Sequence, residues 1–314
     1  MASSFDVIYR DLVRNILDNG IDQSKSESRT HYADGTVATT RAVEGISFAI
    51  TPSMGVPRLR SKFVGAKWAC TEMEWIYQAM SNNVKWLHEH GGVTIWDEWA
   101  TPEGSIGKAY GYQVKNQTIP VLITRENANL ADLTKMERQG ATSICRNLNQ
   151  MEYALHELRN NPGSRRIMVD LWNQRDTPQM ALTPCVWTHH WSVFGGKLNL
   201  HVKQRSCDVA LGLPYNVIQY YVLKELVADC LGMEAGTLHW TIDNAHIYDR
   251  HFDTIIEQVE TPMSNEVLQS ECKLVLPEVN TDKLTSDEFF HRPMSETHFE
   301  GYKHMGRYDY EVAI

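Results

Sequence analysis

No stretch of this 314-residue chain is apolar for long enough to cross a bilayer, and none of its six cysteines stands in a CxxC pair. The opening MASSFDVIYRDLVRNILDNG carries a charge every few residues, which neither a signal peptide nor a membrane span tolerates. The scatter of Cys70, Cys145, Cys185, Cys207, Cys230 and Cys272 disfavours a zinc site or a disulfide framework, so a reducing cytoplasmic setting is expected. A basic excess is also lacking. Thirty Lys and Arg face 39 Asp and Glu, a net charge of −9, which argues against a general DNA, RNA or membrane-surface binder. Any anionic ligand must therefore meet locally clustered arginine. Internal repeats and low-complexity tracts are absent too.

With 42% hydrophobic residues the chain can bury a full core, and one large domain over 1–314 is expected. Phe5, Ile8, Leu12, Val13 and Ile16 recur at helical spacing until Asn19-Gly20 closes the helix. A polar loop follows from about Ser24 to Thr40 with a turn at Asp34-Gly35, then an alternating strand over 41–50. Helical spacing returns over 66–90. Residues 116–146 mix an apolar run with an Asn-rich part and read as a peripheral insertion without assignable elements. A helix around 147–160 precedes strands at 165–173, 185–194 and 197–206, the last two joined at Gly195-Gly196, and an apolar helix runs from about Val217 to Leu231. Strands and helices mix without strict alternation. The expected class is α+β, a single domain with a mixed sheet covered by helices.

Cys185, in the apolar stretch Ala-Leu-Thr-Pro-Cys-Val, taken alone reads more readily as an inert core thiol than as a nucleophile. The segment Gln204-Arg205-Ser206-Cys207-Asp208 with Gly212-Leu213-Pro214-Tyr215-Asn216 crowds together more hydrogen-bonding groups than a core hairpin could bury unpaired, and suggests a polar ligand site. Arg165-Arg166 follows a turn and offers forked donors suited to phosphate. Trp96 and Trp99 could stack on a flat heterocycle or anchor the core. Glu72 belongs on a wet helix face unless it is buried, where a raised pKa would let it move protons. In Asp243-Asn244-Ala245-His246-Ile247-Tyr248 the alternation points two polar rings to one side, where they could hold a sugar hydroxyl. His246 and His251 lack a third ligand at useful spacing, so no metal is expected.

Taken together these segments resemble the thymidylate synthase family nearly end to end. The likeness rests on Ile95-Trp96-Asp97-Glu98-Trp99, Tyr110-Gly111, Ser164-Arg165-Arg166, Pro184-Cys185, Gln204-Arg205-Ser206 with Asp208, Leu211 to Asn216, His246-Ile247-Tyr248, Glu300-Gly301-Tyr302 and the terminal Val312-Ala313-Ile314. The resemblance implies reductive methylation of dUMP to dTMP with 5,10-methylenetetrahydrofolate as cosubstrate. Cys185 would be the nucleophile, with Arg205 favouring its thiolate, and Glu72, Tyr110 and Asp208 completing the catalytic set. Phosphate would be held by Arg29, Arg205 and Ser206 of one subunit and by Arg165 and Arg166 across the interface of a homodimer formed through the sheet. Asn216 would read uracil, and His246 with Tyr248 the 3′-hydroxyl of deoxyribose. Trp96, Trp99, Leu182, Asp208, Leu211, Gly212, Tyr215 and Ala313 would contact the folate, with the tail closing over both ligands.

Some positions depart from the family pattern. Thr183 and Val186 flank the cysteine where proline and histidine are common, Thr71 stands where histidine is common, and Tyr215 replaces phenylalanine. Asp243-Asn244 stands where Gly-Asp is usual, which removes a charge near the nucleotide. That change keeps open a deoxyuridylate or deoxycytidylate hydroxymethylase using the same folate. A non-catalytic nucleotide- or RNA-binding homologue would lack the nucleophile or the arginine set, and neither is missing.

Overall fold

The computed structural model describes residues 4–128, 130–278 and 288–314. Helix α1 (Phe5–Asn19) buries Phe5, Leu12, Val13 and Ile16 of the expected stripe, with Tyr9 buried as well and Ile8 only half-buried. Strands β1 (Ile21–Asp22) and β2 (Thr40–Ile50) follow, then α2 (Ala66–Tyr77) and α3 (Val84–Gly91). The single helical stretch expected over 66–90 is thus two helices. Met80 takes φ of 48°, and the Asn83 side chain caps α3 by accepting the Lys85 N–H at 3.0 Å.

After α4 (Gly111–Asn116), the segment expected to be irregular forms β3 (Ile119–Thr124), α5 (Leu130–Gln139) and β4 (Ser143–Leu148). The two strands pair antiparallel, and Ile123, Met136 and Ile144 make a small core of their own beneath them. Helix α6 (Gln150–Asn160) starts with a capping box between Asn149 and Glu152.

The main sheet adds β5 (Ile167–Asp170), shorter than the 165–173 expected, β6 (Val186–Phe194), β7 (Lys197–Asp208) and β8 (Glu234–Tyr248), in the order β1-β2-β8-β7-β6-β5. Only β7 and β8 run parallel, so the sheet is mixed. Gly195 and Gly196, with φ of 60° and 78°, make the tight turn between β6 and β7, a geometry that costs other residues strain. The crossover joining the parallel pair is α7 (Gly212–Cys230), apolar on nearly every side and buried accordingly. Alternation along β7 sends Leu198, Leu200, Val202 and Gln204 under that helix, and leaves Lys197, Asn199, His201 and Lys203 on the opposite face. There His201 stacks on His239 with ring centroids 4.4 Å apart. The chain ends with α8 (Phe252–Glu260), α9 (Asn265–Leu268) and the pair β9 (Lys273–Val275) and β10 (His298–Glu300). Among the described residues no helix is long and apolar enough to cross a membrane.

Tyr302 of the Glu-Gly-Tyr segment ties this last part to the core. Its hydroxyl lies 2.6 Å from the Leu59 carbonyl and 2.9 Å from that of Lys62, accepts the Val64 N–H at 3.1 Å, and its ring carries the Arg58 guanidinium. Tyr302→Phe leaves those backbone groups short of a partner and is expected to cost about 1–3 kcal/mol. The shift of the urea unfolding midpoint at unchanged slope measures it.

Candidate active site

The strand ends set the geometry. Cys185 immediately precedes β6, and its carbonyl accepts the Arg205 N–H at 2.9 Å, which fixes the cysteine beside the last third of β7. Across the parallel pair Ser206 faces Asn244 and Asp208 faces His246. The thiol, Arg205, Ser206, Asp208, His246 and Tyr248 are thereby brought to one end of three adjacent strands. Asn216 joins them from the start of the second turn of α7, where its Oδ1 accepts from Gln204 Nε2 at 3.0 Å.

Arg205 holds the cysteine loop directly. Its Nε donates to the Pro184 carbonyl at 3.0 Å, and its Nη2 to Thr183 O at 3.0 Å and Thr183 Oγ1 at 2.9 Å. Thr183 therefore has a hydroxyl use that the commoner proline could not supply. Burial pushes the Cys185 thiol above its ordinary value, the Arg205 cation pulls it back down, and Asp208 pushes it up. Arginine favours the thiolate, as expected, but burial outweighs it. Tyr110 Oη accepts the Cys185 N–H at 3.4 Å, and burial holds that phenol protonated. Tyr110 itself sits at φ 47°, ψ −105°, a conformation costly for a non-glycine residue, and Gly111 lies so near Ser81 that a Cβ would fall 2.3 Å from the Ser81 carbonyl oxygen.

Glu72, on α2, is not on a wet face. Its Oε1 accepts from the Trp96 indole at 2.8 Å and its Oε2 from Gln219 at 2.6 Å. Burial raises its pKa, while these two bonds pull it partly back. Trp96 is 6% exposed, with its ring 4.9 Å from Tyr110 and 5.8 Å from Trp99, so it serves as both core anchor and site wall. Trp99, Leu182, Leu211 and Tyr215 are half-buried, packed against the core. Asp208 caps the turn into Gly212, accepting the Ala210 and Leu211 N–H groups at 2.9 and 3.0 Å.

His246 and Tyr248 do share a side, their rings perpendicular at 5.3 Å. His246 Nδ1 lies 2.9 Å from Asn244 Oδ1. With the Asn244 amide in this orientation, Nδ1 carries the hydrogen and Nε2 keeps its lone pair. The asparagine thus retains the acceptor that the more usual aspartate would provide. Arg29 is exposed in the loop before His31, and that loop holds the tail: His31 and Ile314 exchange backbone bonds at 2.7 and 2.9 Å, and Tyr32 bridges Ala313.

Arg165 and Arg166 are not brought to this site. They precede β5, whose Ile167 pairs with Trp191, six residues along β6 from Cys185. The arginines lie a further one and two residues along, which at strand rise places them about 25 Å away. Both are exposed. Among the described residues no cluster of three or more His, Cys, Asp or Glu is gathered as a metal would need.

Two residues at the site went unread in the sequence. Lys62 is buried, donates to the Ala210 carbonyl at 2.5 Å beside Asp208, and is pulled down to about 8 by burial. Gln219 links Asn216 to Glu72. Its position three residues after Asn216, on the same helix face, was the available signal for it. Nothing local marks Lys62.

The family model described as thymidylate synthase matches residues 7–314. A thymidylate synthase of Fusobacterium nucleatum is 44% identical over 260 residues, covering 82% of this chain and 84% of that one, and one of Bacillus mojavensis is 36% identical over 313 residues, covering 99% and 100%. Among solved structures, the thermostable thymidylate synthase A from Bacillus subtilis superposes with a TM-score of 0.81 at 35% identity, covering 99% of this chain and 100% of that one. With a matching model over nearly its whole length and relatives this similar, the chain belongs to the thymidylate synthase family.

Proposed function

We propose that this chain methylates dUMP to dTMP, with 5,10-methylenetetrahydrofolate supplying both the one-carbon unit and the hydride. The observation that carries the reading is the junction of a half-buried thiol with a guanidinium tied to the same loop, beside an asparagine bonded to Gln204 of the neighbouring strand. Cys185, as thiolate, adds to carbon 6 of the uracil ring and makes carbon 5 nucleophilic. Arg205 draws the thiol towards ionisation as it fixes the loop, and Tyr110 holds the Cys185 backbone. Glu72, its carboxyl raised by burial, passes protons to and from the pyrimidine.

Asn216 offers one remaining N–H and one remaining lone pair, the complement of uracil's O4 and N3–H and the reverse of what cytosine needs. His246 and Tyr248 take the 3′-hydroxyl. Arg29, Arg205 and Ser206 hold the phosphate together with Arg165 and Arg166 of the partner subunit in a homodimer formed through the sheet. Two features support that assignment: the distance of this chain's own arginine pair from Cys185, and the half-open face of β7 opposite α7. The half-buried faces of Trp99, Leu182, Leu211 and Tyr215, with Trp96, Asp208, Gly212 and Ala313, fit a flat, partly apolar folate. All six cysteines are free thiols, which suits the cytoplasm.

The Asn244 to His246 bond keeps an acceptor where the charge is lost, which supports the synthase reading over a hydroxymethylase. The test is a product assay with purified protein, dUMP and methylenetetrahydrofolate, following dihydrofolate by absorbance and the nucleotide by mass. Dihydrofolate with dTMP is expected. Tetrahydrofolate with hydroxymethyl-dUMP would overturn the reading.

A further inference from the structure

Five residues on four elements form one hydrogen-bonded line behind the site. The Trp240 indole donates to Gln204 Oε1 at 3.1 Å, Gln204 Nε2 to Asn216 Oδ1 at 3.0 Å, Asn216 Nδ2 to Gln219 Oε1 at 3.0 Å, and Gln219 Nε2 to Glu72 Oε2 at 2.6 Å. An amide has nearly the same shape either way round, so only its neighbours fix which end donates. An indole nitrogen can only donate, and an ionised carboxylate can only accept. The line is anchored by a pure donor at Trp240 and a pure acceptor at Glu72, and each amide between them has one consistent orientation. Flipping Asn216 would set nitrogen against nitrogen at Gln204 and oxygen against oxygen at Gln219. Gln204 and Gln219 are 2% and 4% exposed, so solvent offers little relief from such a mismatch.

We propose that Gln219 is a positioning residue that locks the uracil-reading amide of Asn216 to the carboxylate of Glu72, so that base choice and proton transfer are held by one side chain. The inference rests on the reading of the site as one for dUMP. It has a consequence for how the two functions communicate. When Glu72 takes up a proton, one of its oxygens becomes a donor, its hold on Gln219 slackens, and the orientation of Asn216 then depends on Gln204 alone.

Two variants separate the parts. Gln219→Leu removes both bonds at similar volume, while Gln219→Glu keeps an acceptor for Asn216 and removes the donor to Glu72. Steady-state kcat and KM for dUMP are measured across the pH range of activity, with dCMP as the competing substrate and thermal unfolding as a fold control. The Glu72-dependent limb of the kcat profile is expected to move up by about one pH unit in Gln219→Leu, where a bond that favoured the carboxylate is gone, and further in Gln219→Glu, where a second carboxyl faces Glu72. Gln219→Leu is also expected to raise KM for dUMP about tenfold and to relax the preference over dCMP by about tenfold. Gln219→Glu should hold KM within about threefold.

A folded Gln219→Leu protein with the limb and the preference unmoved overturns the proposal. So does a uniform fall in kcat in both variants without a shift, which is what a packing role produces. Should Gln219→Leu not fold, the limb in Gln219→Glu decides alone. Failure of the underlying reading looks different, since the unaltered enzyme would then make no dTMP from dUMP at any pH.

Discussion

Replacing Cys185 with alanine is expected to lower the rate of dTMP formation by more than about 10⁴-fold while changing stability by less than about 1 kcal/mol. The asymmetry follows from its surroundings. The thiol is only half-buried, and the cysteine loop is held by its backbone, through the Arg205 N–H, the Arg205 side chain and the Tyr110 hydroxyl, none of which touches sulfur. The variant should therefore still bind dUMP, measurable by calorimetry, and fail only at bond formation. A rate within tenfold of the unaltered enzyme would remove Cys185 as the nucleophile. Thiol-reactive probes need a Cys145→Ser background, because Cys145 is the exposed cysteine and would be modified first.

Arg205→Ala is expected to lower kcat/KM for dUMP by about 10²- to 10³-fold, the rate equivalent of about 3–4 kcal/mol. Three effects fall together. Three hydrogen bonds to Thr183 and Pro184 are lost, the cation that draws the thiol down is lost, and so is the phosphate donor proposed above. Arg205→Lys restores the charge without the fork, because a single ammonium cannot span both carbonyls and the substrate. It should recover part of KM and little of kcat. An alanine variant within tenfold of the parent would mean that the loop needs no such strut. The pH dependence of its alkylation, in the same Cys145→Ser background, should then show whether the thiol has moved up as the loss of the cation requires.

Parts of this structure are plain in the sequence because local rules and the final packing agree. The stripe of α1, the alternation of β7 and the Gly195-Gly196 turn are of that kind. Helical spacing runs on through residues 66–90 although Met80 turns left-handed, because apolar periodicity does not register a single break. The cap at Asn83 was the local sign of a second start. In β8 only residues 243–248 are read as strand, since Gly236 and Thr237 interrupt the pattern ahead of Leu238, Trp240 and Ile242. The segment 116–146 shows no assignable pattern because its three core residues, Ile123, Met136 and Ile144, are too few and too far apart to make a period.

The site divides in the same way. The Gln204 to Asp208 run, Asn216 and the paired rings of His246 and Tyr248 lie in short segments dense in polar groups, where the chemistry is written locally, whereas Cys185 sits in an apolar stretch and gains its meaning only from them. Glu72 reads as a solvated residue because what buries it, Trp96 and Gln219, comes from segments far along the chain. The two roles of Trp96 could not be separated in advance for the same reason. Its indole hydrogen has one destination, and that destination belongs to another helix.

The strand order has a consequence for how the molecule is made. Strand β2 finds its partner in β8, so an early piece of the chain must wait, with unpaired backbone and apolar side chains, until most of the polypeptide has left the ribosome. Long-range pairing of this kind is slow and exposes strand edges meanwhile. Until β8 slots between β2 and β7, neither half of the sheet is closed, and a nascent or refolding chain is most open to chaperone capture and to aggregation in that interval.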